Sequence, residues 1–473
     1  MHVEKEKCSV MRKAREVSMT EGPLLPAVVR FSVPLMASNV LQVLFNMSDI
    51  AVVGRFAGPE ALGAVGSTSI LVSLFTGFVI GMGSGVNVTV ARFLGAGKWR
   101  DASESVHTSC LVLLVTGLLL FLLGFAFTPA ILCLLGTKDV LLQGAIRYLR
   151  MYLIGMPALA LFNFGNGVLS AAGDTRHPLI FLTLAGVLNV LLNILFVVPL
   201  HMAEMGVGLA SALSQCVSAA LMLVFLVRRD DAVAIRRERL RISPEKCRQI
   251  LALSVPSGLQ NAIFALANLF IQAGVNTFDA VVVEGSAAAA NADPLVYDVM
   301  AAVYTACSSF MSRNYGAGNR ARVRKSYLIC LGLSFGIAAV LSAFLVIFGR
   351  AFLGLFTHDS AVVQAGMERL RVMGFSYAFS AFMDCTIAAS RGLGRSLWPT
   401  VIVMLGSCVF RVIWVYTVFA HFHTIRALYL LYIFSWTITG VAEIVYFLHC
   451  YAQRMRRIGE RGQNTENEGG SRE

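Results

Sequence analysis

Apolar residues along this chain arrive in long blocks, not in the narrow stripes of a soluble surface helix or the alternation of a strand. Examples run over residues 70–80, 111–127, 179–200 and 326–348. A helix needs about 20 apolar residues at 1.5 Å rise to cross a hydrocarbon core of about 30 Å. Blocks of that kind recur about twelve times, with short polar loops between them. The pattern predicts helices near 27–52, 60–85, 105–128, 145–169, 177–199 and 207–227. A second set is predicted near 250–275, 284–309, 327–349, 365–389, 399–420 and 427–450. Backbone polar groups inside a bilayer must pair internally, so the fold class expected is an all-α polytopic membrane protein with twelve transmembrane helices.

The same chain contains itself twice. Arg92-Phe-Leu-Gly-Ala-Gly-Lys98 returns as Arg313-Asn-Tyr-Gly-Ala-Gly-Asn319, an offset of 221 from Gly95 to Gly316. Arg147-Tyr-Leu-Arg150 returns as Glu368-Arg-Leu-Arg371, and Gly173 with Pro178 returns as Gly394 with Pro399, at the same 221. Ser32-Val-Pro34 returns as Ser254-Val-Pro256 at 222, which needs one insertion. A fixed offset from the first to the fifth helix of each half signals duplication. Each half holds an even number of spans, so the two six-helix lobes share one orientation. They are expected to be related by a pseudo-two-fold axis along the membrane normal, as in secondary transporters with parallel repeats. Rocking one such bundle against the other gives alternating access to a cleft between them.

Composition agrees with the pattern. The 473 residues are 57% hydrophobic and 14% charged, against about a quarter charged in soluble domains; the mean hydropathy is +0.71. The net charge of +12 raises the question of nucleic acid, but its distribution answers otherwise. Cations gather in alternate loops: Arg92, Lys98 and Arg100; 228–248; 313–325; and 454–461. Lys5, Lys7, Arg12, Lys13 and Arg15 add to the N-terminal segment. This is the positive-inside pattern. It places the chain multi-pass in a cell membrane, as in a bacterial inner membrane, with both termini in the cytoplasm. Anionic lipid headgroups are the expected partners of these charges, and no nucleic acid is expected. The segments expected are a cytoplasmic N-terminal stretch 1–24, an N-lobe 25–228, a cytoplasmic linker 229–246, a C-lobe 247–452 and a polar tail 453–473 with the composition of disorder. No cleavable signal peptide is expected, because the first 20 residues are charged and the first apolar run lacks a small-residue cleavage site. Most of the ten cysteines fall inside predicted helices without metal-ligand spacing and read as small buried residues.

Several stretches together resemble one family. They are Asn46-Met-Ser-Asp-Ile-Ala-Val-Val-Gly54, Gly95-Ala-Gly97, Val106-His-Thr-Ser109, Ala172-Gly-Asp-Thr-Arg-His-Pro178, Asn189-Val-Leu-Leu-Asn193 and Asn314-Tyr-Gly-Ala-Gly318. In order and spacing, from about residue 24 to 450, the chain is similar to the multidrug and toxic compound extrusion (MATE) family. Within it, the likeness is to the bacterial branch related to DNA-damage-inducible protein F. The resemblance implies two six-helix lobes and export of organic, often cationic, compounds in exchange for H⁺ or Na⁺. It implies no other cofactor, and a small-molecule substrate as partner; a monomer is expected.

Ionisable groups at membrane depth mark candidate chemistry. Asp49 lies in the last third of the first helix with Asn46 three residues earlier on the same face. Asn163 and Asn166 share a face of the fourth helix, and Asn189 and Asn193 share one on the fifth. A polar cavity in the first lobe would gather these groups. A carboxylate in a partly dehydrated cavity exchanges a proton or a cation with whatever else occupies the site. By resemblance, Asp49 matches the family's helix-one aspartate, which takes part in coupling; otherwise it caps a helix end. The branch often has an Asp where this chain has Asn193, and an Arg where it has Ser170. An amide can orient Asp49 or offer a carbonyl oxygen to Na⁺ near Asp49, but it cannot take a proton. In the second lobe, Asp293 and Asp298 fall on the eighth helix, Asp384 on the tenth and Arg411 on the eleventh. Asp298 and Asp384 are either a second cation or substrate site, or counter-ions that hold Arg411. The glutamate that a NorM-like branch carries on helix seven is replaced near Phe264.

Gly77, Gly81 and Gly85 form a small-residue ridge on the second helix, which reads as close packing or a local bend before a dimer interface. Pro34 and Pro157 are the better hinge candidates. No P-loop, dinucleotide fingerprint or His-Glu-x-x-His motif is present, so no enzyme is implied. The leading function is a secondary active antiporter. The runner-up is a flippase for lipid-linked sugars, which would need several inward cations where only Arg411 is clearly at mid-depth.

Overall fold

The computed structural model describes residues 17–470, without the side chains of 457 and 459–470. Residues 1–16 of the N-terminal segment and 471–473 of the tail therefore lie outside the description. The described residues form helices and turns with no strand among them. In chain order the helices are α1 (Leu24–Phe56), α2 (Gly58–Gly95), α3 (Trp99–Leu134), α4 in two pieces (Asp139–Ile154 and Met156–Ala172), α5 (Arg176–Val197) and α6 (Ala203–Val227). They continue as α7 (Pro244–Val275), α8 (Ala280–Gly316), α9 (Arg320–Leu353), α10 (Ser360–Gly392), α11 (Leu397–Phe422) and α12 (Ile425–Gly470). Eleven are long and apolar enough to cross a bilayer, and α4 passes as a pair bent by 44°, giving up to twelve spans.

The bend in α4 has a local cause. Pro157 stands in the first turn of the second piece, where its missing N–H leaves no bond unmade. Gly155 at the break packs against α6 so closely that an added Cβ would lie 2.9 Å from the Cα of Ala212.

The internal repeat reappears as matched helix endings. Gly97 and Gly318 adopt φ of +67° and +74°, and Gly173 and Gly394 adopt +93° and +80°. In each case the glycine and the next residue turn their N–H groups back onto the helix they close. Lys98 bonds to Phe93 O and Asn319 to Asn314 O, both at 3.0 Å; Asp174 bonds to Leu169 O at 2.9 Å and Arg395 to Ser390 O at 3.0 Å. Only glycine reaches this left-handed region without penalty, and the bonds satisfy carbonyls the helix end leaves orphaned.

The small-residue ridge on α2 packs against α7. Cβ atoms added at Gly81 and Gly85 would lie 2.5 Å from Gly258 N and 2.2 Å from Ser254 Oγ. The close approach lets Ser254 Oγ donate to Met82 O at 2.9 Å and Asn261 Nδ2 donate to Gly77 O at 3.0 Å.

Two compact units divide the chain. One is built on Val33–Val90 and Trp99–Leu266; the other on Ser18–Ser32, Ala91–Lys98 and the chain from Ala267 onward. The division falls within α7, so the first part of that helix clusters with the first unit. A buried core in that unit joins Val53, Leu132, Ala145, Leu149, Leu153 and Met156. Outward, α3 exposes Val115, Leu118, Leu119, Leu122, Leu123 and Phe127, and α9 exposes Val340, Phe344, Ile347 and Phe348. Such apolar faces suit hydrocarbon and not water.

The connection after α6 is fastened to the first unit by polar contacts. Lys246 Nζ meets Asp101 Oδ1 at 2.7 Å, and the backbone N–H of Arg236 donates to His107 Nε2 at 2.9 Å. His107 Nδ1 then faces Ser103 O at 2.7 Å. Arg229, 2% exposed, lies 3.6 Å from Asp174, which also accepts from His177 Nδ1 at 2.6 Å. Burial pushes the Asp174 carboxyl up, but the His177 hydrogen bonds and the His177 and Arg229 charges outweigh it and hold it below the usual carboxylate value.

Candidate functional site

The first unit gathers a closed ring of polar side chains from three helices. α5 carries Asn189 and Asn193 at i,i+4, one above the other on a single face. Asn193 Nδ2 donates to Asp49 Oδ1 at 2.5 Å and faces Asn189 Oδ1 at 3.3 Å. Asn189 Nδ2 donates to Ser211 Oγ on α6 at 3.4 Å, and Ser211 Oγ donates to Asp49 Oδ2 at 3.4 Å. Asp49 is half-buried, Asn189 and Ser211 are buried, and Asn193 is 0% exposed.

The α1–α5 crossing that makes this ring rests on Gly186. Phe45, one turn before Asp49, lies where a side chain would stand, and a Cβ at Gly186 would come within 1.8 Å of its ring. Tyr148 and Tyr152 on α4, stacked with centroids 6.1 Å apart, are within electrostatic reach of Asp49.

Two properties give the ring chemistry. Both Asp49 oxygens accept from neutral donors, and no cation among the described residues forms an ion pair with it. Because the Asn193 amide turns its NH₂ to both acceptors, its Oδ1 is buried with no hydrogen-bond partner. A lone carboxylate beside an unused carbonyl oxygen can hold a proton on the acid or a small cation between the two.

Other sequence candidates fall elsewhere. Asn46 is exposed and outside the ring. Asn163 donates to Leu159 O of its own helix at 2.9 Å. Asn166 keeps a buried Oδ1 without a partner. Ser211 and Gly186 complete the site without a sequence signal strong enough to single them out among many serines and glycines.

The second unit is built from charges and rings. Asp293 Oδ2 accepts from Arg369 Nη2 at 2.6 Å, and Tyr377 Oη donates to Asp293 Oδ1. Arg369 Nη1 also reaches Ser286 O at 3.2 Å and Ser286 Oγ at 3.1 Å. Arg411, 2% exposed, occupies a single α-helical stretch between two π-helical ones, Met404–Val409 and Val415–Phe419. Its guanidinium meets Asn268 Oδ1 at 3.3 Å and Ser435 Oγ at 3.5 Å, and lies over the rings of Tyr432 and Trp436 at 4.8 and 5.7 Å. Asp384 lies within electrostatic reach of Arg391 and Arg411, and Asp298 is half-buried on α8. Arg369 sits inside the repeated Glu368-Arg-Leu-Arg371 segment, whose partner segment has Tyr148 at that place. The repeat marks the position; the change from Tyr to Arg marks the divergence.

A polytopic helical bundle with duplicated halves and polar groups at membrane depth defines a membrane transporter. The MatE family model matches residues 34–195 and 256–417, one copy in each half, and the chain belongs to that family of multidrug efflux transporters. It is 30% identical over 396 residues to the probable multidrug resistance protein YpnP of Bacillus subtilis (strain 168), covering 83% of this chain and 88% of that one. It is 26% identical over 353 residues to the FAD transporter of Shewanella oneidensis, covering 73% and 77%. Its fold matches a crystal structure of MATE in complex with MaL6 at TM-score 0.87, with 23% identity, over 93% of this chain and 99% of that one.

Proposed function

We propose that this transporter is a secondary antiporter that exports small organic cations in exchange for H⁺ or Na⁺ taken up at Asp49. The halves 25–228 and 247–452 would be the bodies that alternate access, with both termini in the cytoplasm of a bacterial cell. The observation that carries the reading is the ring around Asp49: an acid bonded only to neutral donors, next to the unpartnered Oδ1 of Asn193. Loading it with a proton or cation and unloading it are then the two states that substrate can compete with. Relatives named for multidrug resistance support the substrate class.

The test is transport of a fluorescent organic cation in proteoliposomes, driven in turn by a pH gradient and by a Na⁺ gradient. Asp49→Asn should abolish the driven component. A second reading, export of a planar anion, is favoured by Arg411 lying over Tyr432 and Trp436 and by the FAD transporter relative. Competition of the dye by FAD distinguishes it. A flippase for lipid-linked sugars is not favoured.

A further inference from the structure

Glu443 on α12 lies outside the ring around Asp49. It is 0% exposed, and both Oε1 and Oε2 are buried with no hydrogen-bond partner. A carboxylate in that position has no protein donor to stabilise its charge, whereas a neutral carboxyl has far less to lose.

The charged groups within electrostatic reach of Glu443 lie on α10. Arg391 and Asp384 both act on it, and Arg391 in turn feels both acids. Asp384 and Arg391 are seven residues apart, two turns along one face of α10. Asp384 is also acted on by Arg411 of α11. Tyr297 and Tyr304 of α8 lie within electrostatic reach of Asp384. Cys385 beside it contacts Cys307 of α8 and lies near Cys330 of α9. On α12, Tyr446 lies near Glu443 and is reached by Arg395.

We propose that Glu443 is a proton-carrying site of the second unit, linked through Arg391 to Asp384. With the proton on Glu443, Arg391 serves Asp384. When the O–H bond breaks, the proton leaves to water, and Arg391 compensates the carboxylate left behind on α12. A metal cation is a poor occupant, because the neighbouring guanidinium repels it and a hard cation needs a cage of several oxygens. A proton needs no cage. The use of this site for coupling rests on the antiport reading; its existence does not.

Infrared difference spectroscopy of the full chain in lipid, as pH is raised stepwise without substrate, reads the site directly. The expected result is loss of a protonated-carboxyl band in the wild type that is missing in Glu443→Gln. Asp384→Asn frees Arg391 for Glu443, so the same band should disappear at lower pH; this variant serves if Glu443→Gln does not fold. Identical spectra for wild type and Glu443→Gln, or an unmoved band in Asp384→Asn, overturn the proposal. So does a band removed by Na⁺ at constant pH. Because no transport is measured, failure here leaves the Asp49 reading standing, and failure of gradient-driven transport leaves this site standing.

Discussion

The two units hold the acids of their apolar helices in different ways. In the first, one acid is embedded in amides and a hydroxyl, held by hydrogen bonds alone. In the second, acids and arginines answer one another among tyrosines and a tryptophan, as in the Asp293–Arg369–Tyr377 contact and Arg411 over Tyr432 and Trp436. The difference separates two ways of holding an acid, seen at Asp49 and at Asp293. A carboxylate balanced by a direct arginine partner resists protonation and is costly to break. One balanced by neutral donors can change occupant at little structural expense. Duplication supplies a frame, and the polar residues carried on it have diverged.

That contrast can be broken at its strongest point first. Arg369→Met leaves the half-buried Asp293 with Tyr377 as its remaining donor; removing one partner of a fully buried pair costs about 3–5 kcal/mol, and the 25% exposure of Asp293 places this loss toward the lower end. Thermal unfolding in detergent should show the largest loss of the substitutions considered, and Asp293→Asn in the same background should restore part of it. A smaller loss is expected at Gly186→Ala, where the new methyl would overlap Phe45. Overpacking of that kind costs about 1–3 kcal/mol. It should lower transport as well as stability, because it moves Asp49 away from Asn193; full transport with lowered stability would separate the ring from the crossing.

The repeat itself predicts an equality. Gly97→Ala and Gly318→Ala each place a Cβ in the left-handed region, at about 1–2 kcal/mol apiece. Matched losses in unfolding midpoint confirm equivalent caps in the two halves, and a marked inequality removes that equivalence. The smallest effect is acid dependence at the connection after α6. Asp174 has its carboxyl held below the usual value, so its contribution is present above the ordinary carboxylate range and is lost as pH falls through the lowered one. Asp174→Asn should flatten that acid limb of the stability profile and leave the alkaline limb unchanged.

Much of the frame was legible in sequence because it depends on spacing. Apolar block length gives the spans, and glycines at a 221-residue offset give helix ends that only a left-handed residue can make. Asp49, Asn189 and Asn193 were legible for a similar reason, being costly residues in apolar helices, two of them on one face of α5. Asn46 failed as a member because a shared face over one turn does not say which neighbour that face meets. Ser211 and Gly186 act through contacts between helices distant in sequence. A serine in a helix commonly bonds its own backbone, as Ser214 does to Ala210 O at 2.8 Å, so its type does not announce a partner. The Arg411 setting was legible in kind, a buried cation, but its aromatic partners on α12 depend on the packing of α11 against α12.

The measurement closest to the central claim is gradient-driven transport of a fluorescent organic cation in proteoliposomes for wild type, Asp49→Asn and Asn193→Leu. The amide at position 49 preserves shape and one acceptor oxygen but cannot exchange a charge. The account predicts that Asp49→Asn loses the response to both pH and Na⁺ gradients while still folding and binding the dye, and that Asn193→Leu weakens the response. Undiminished gradient-driven transport in Asp49→Asn would contradict it.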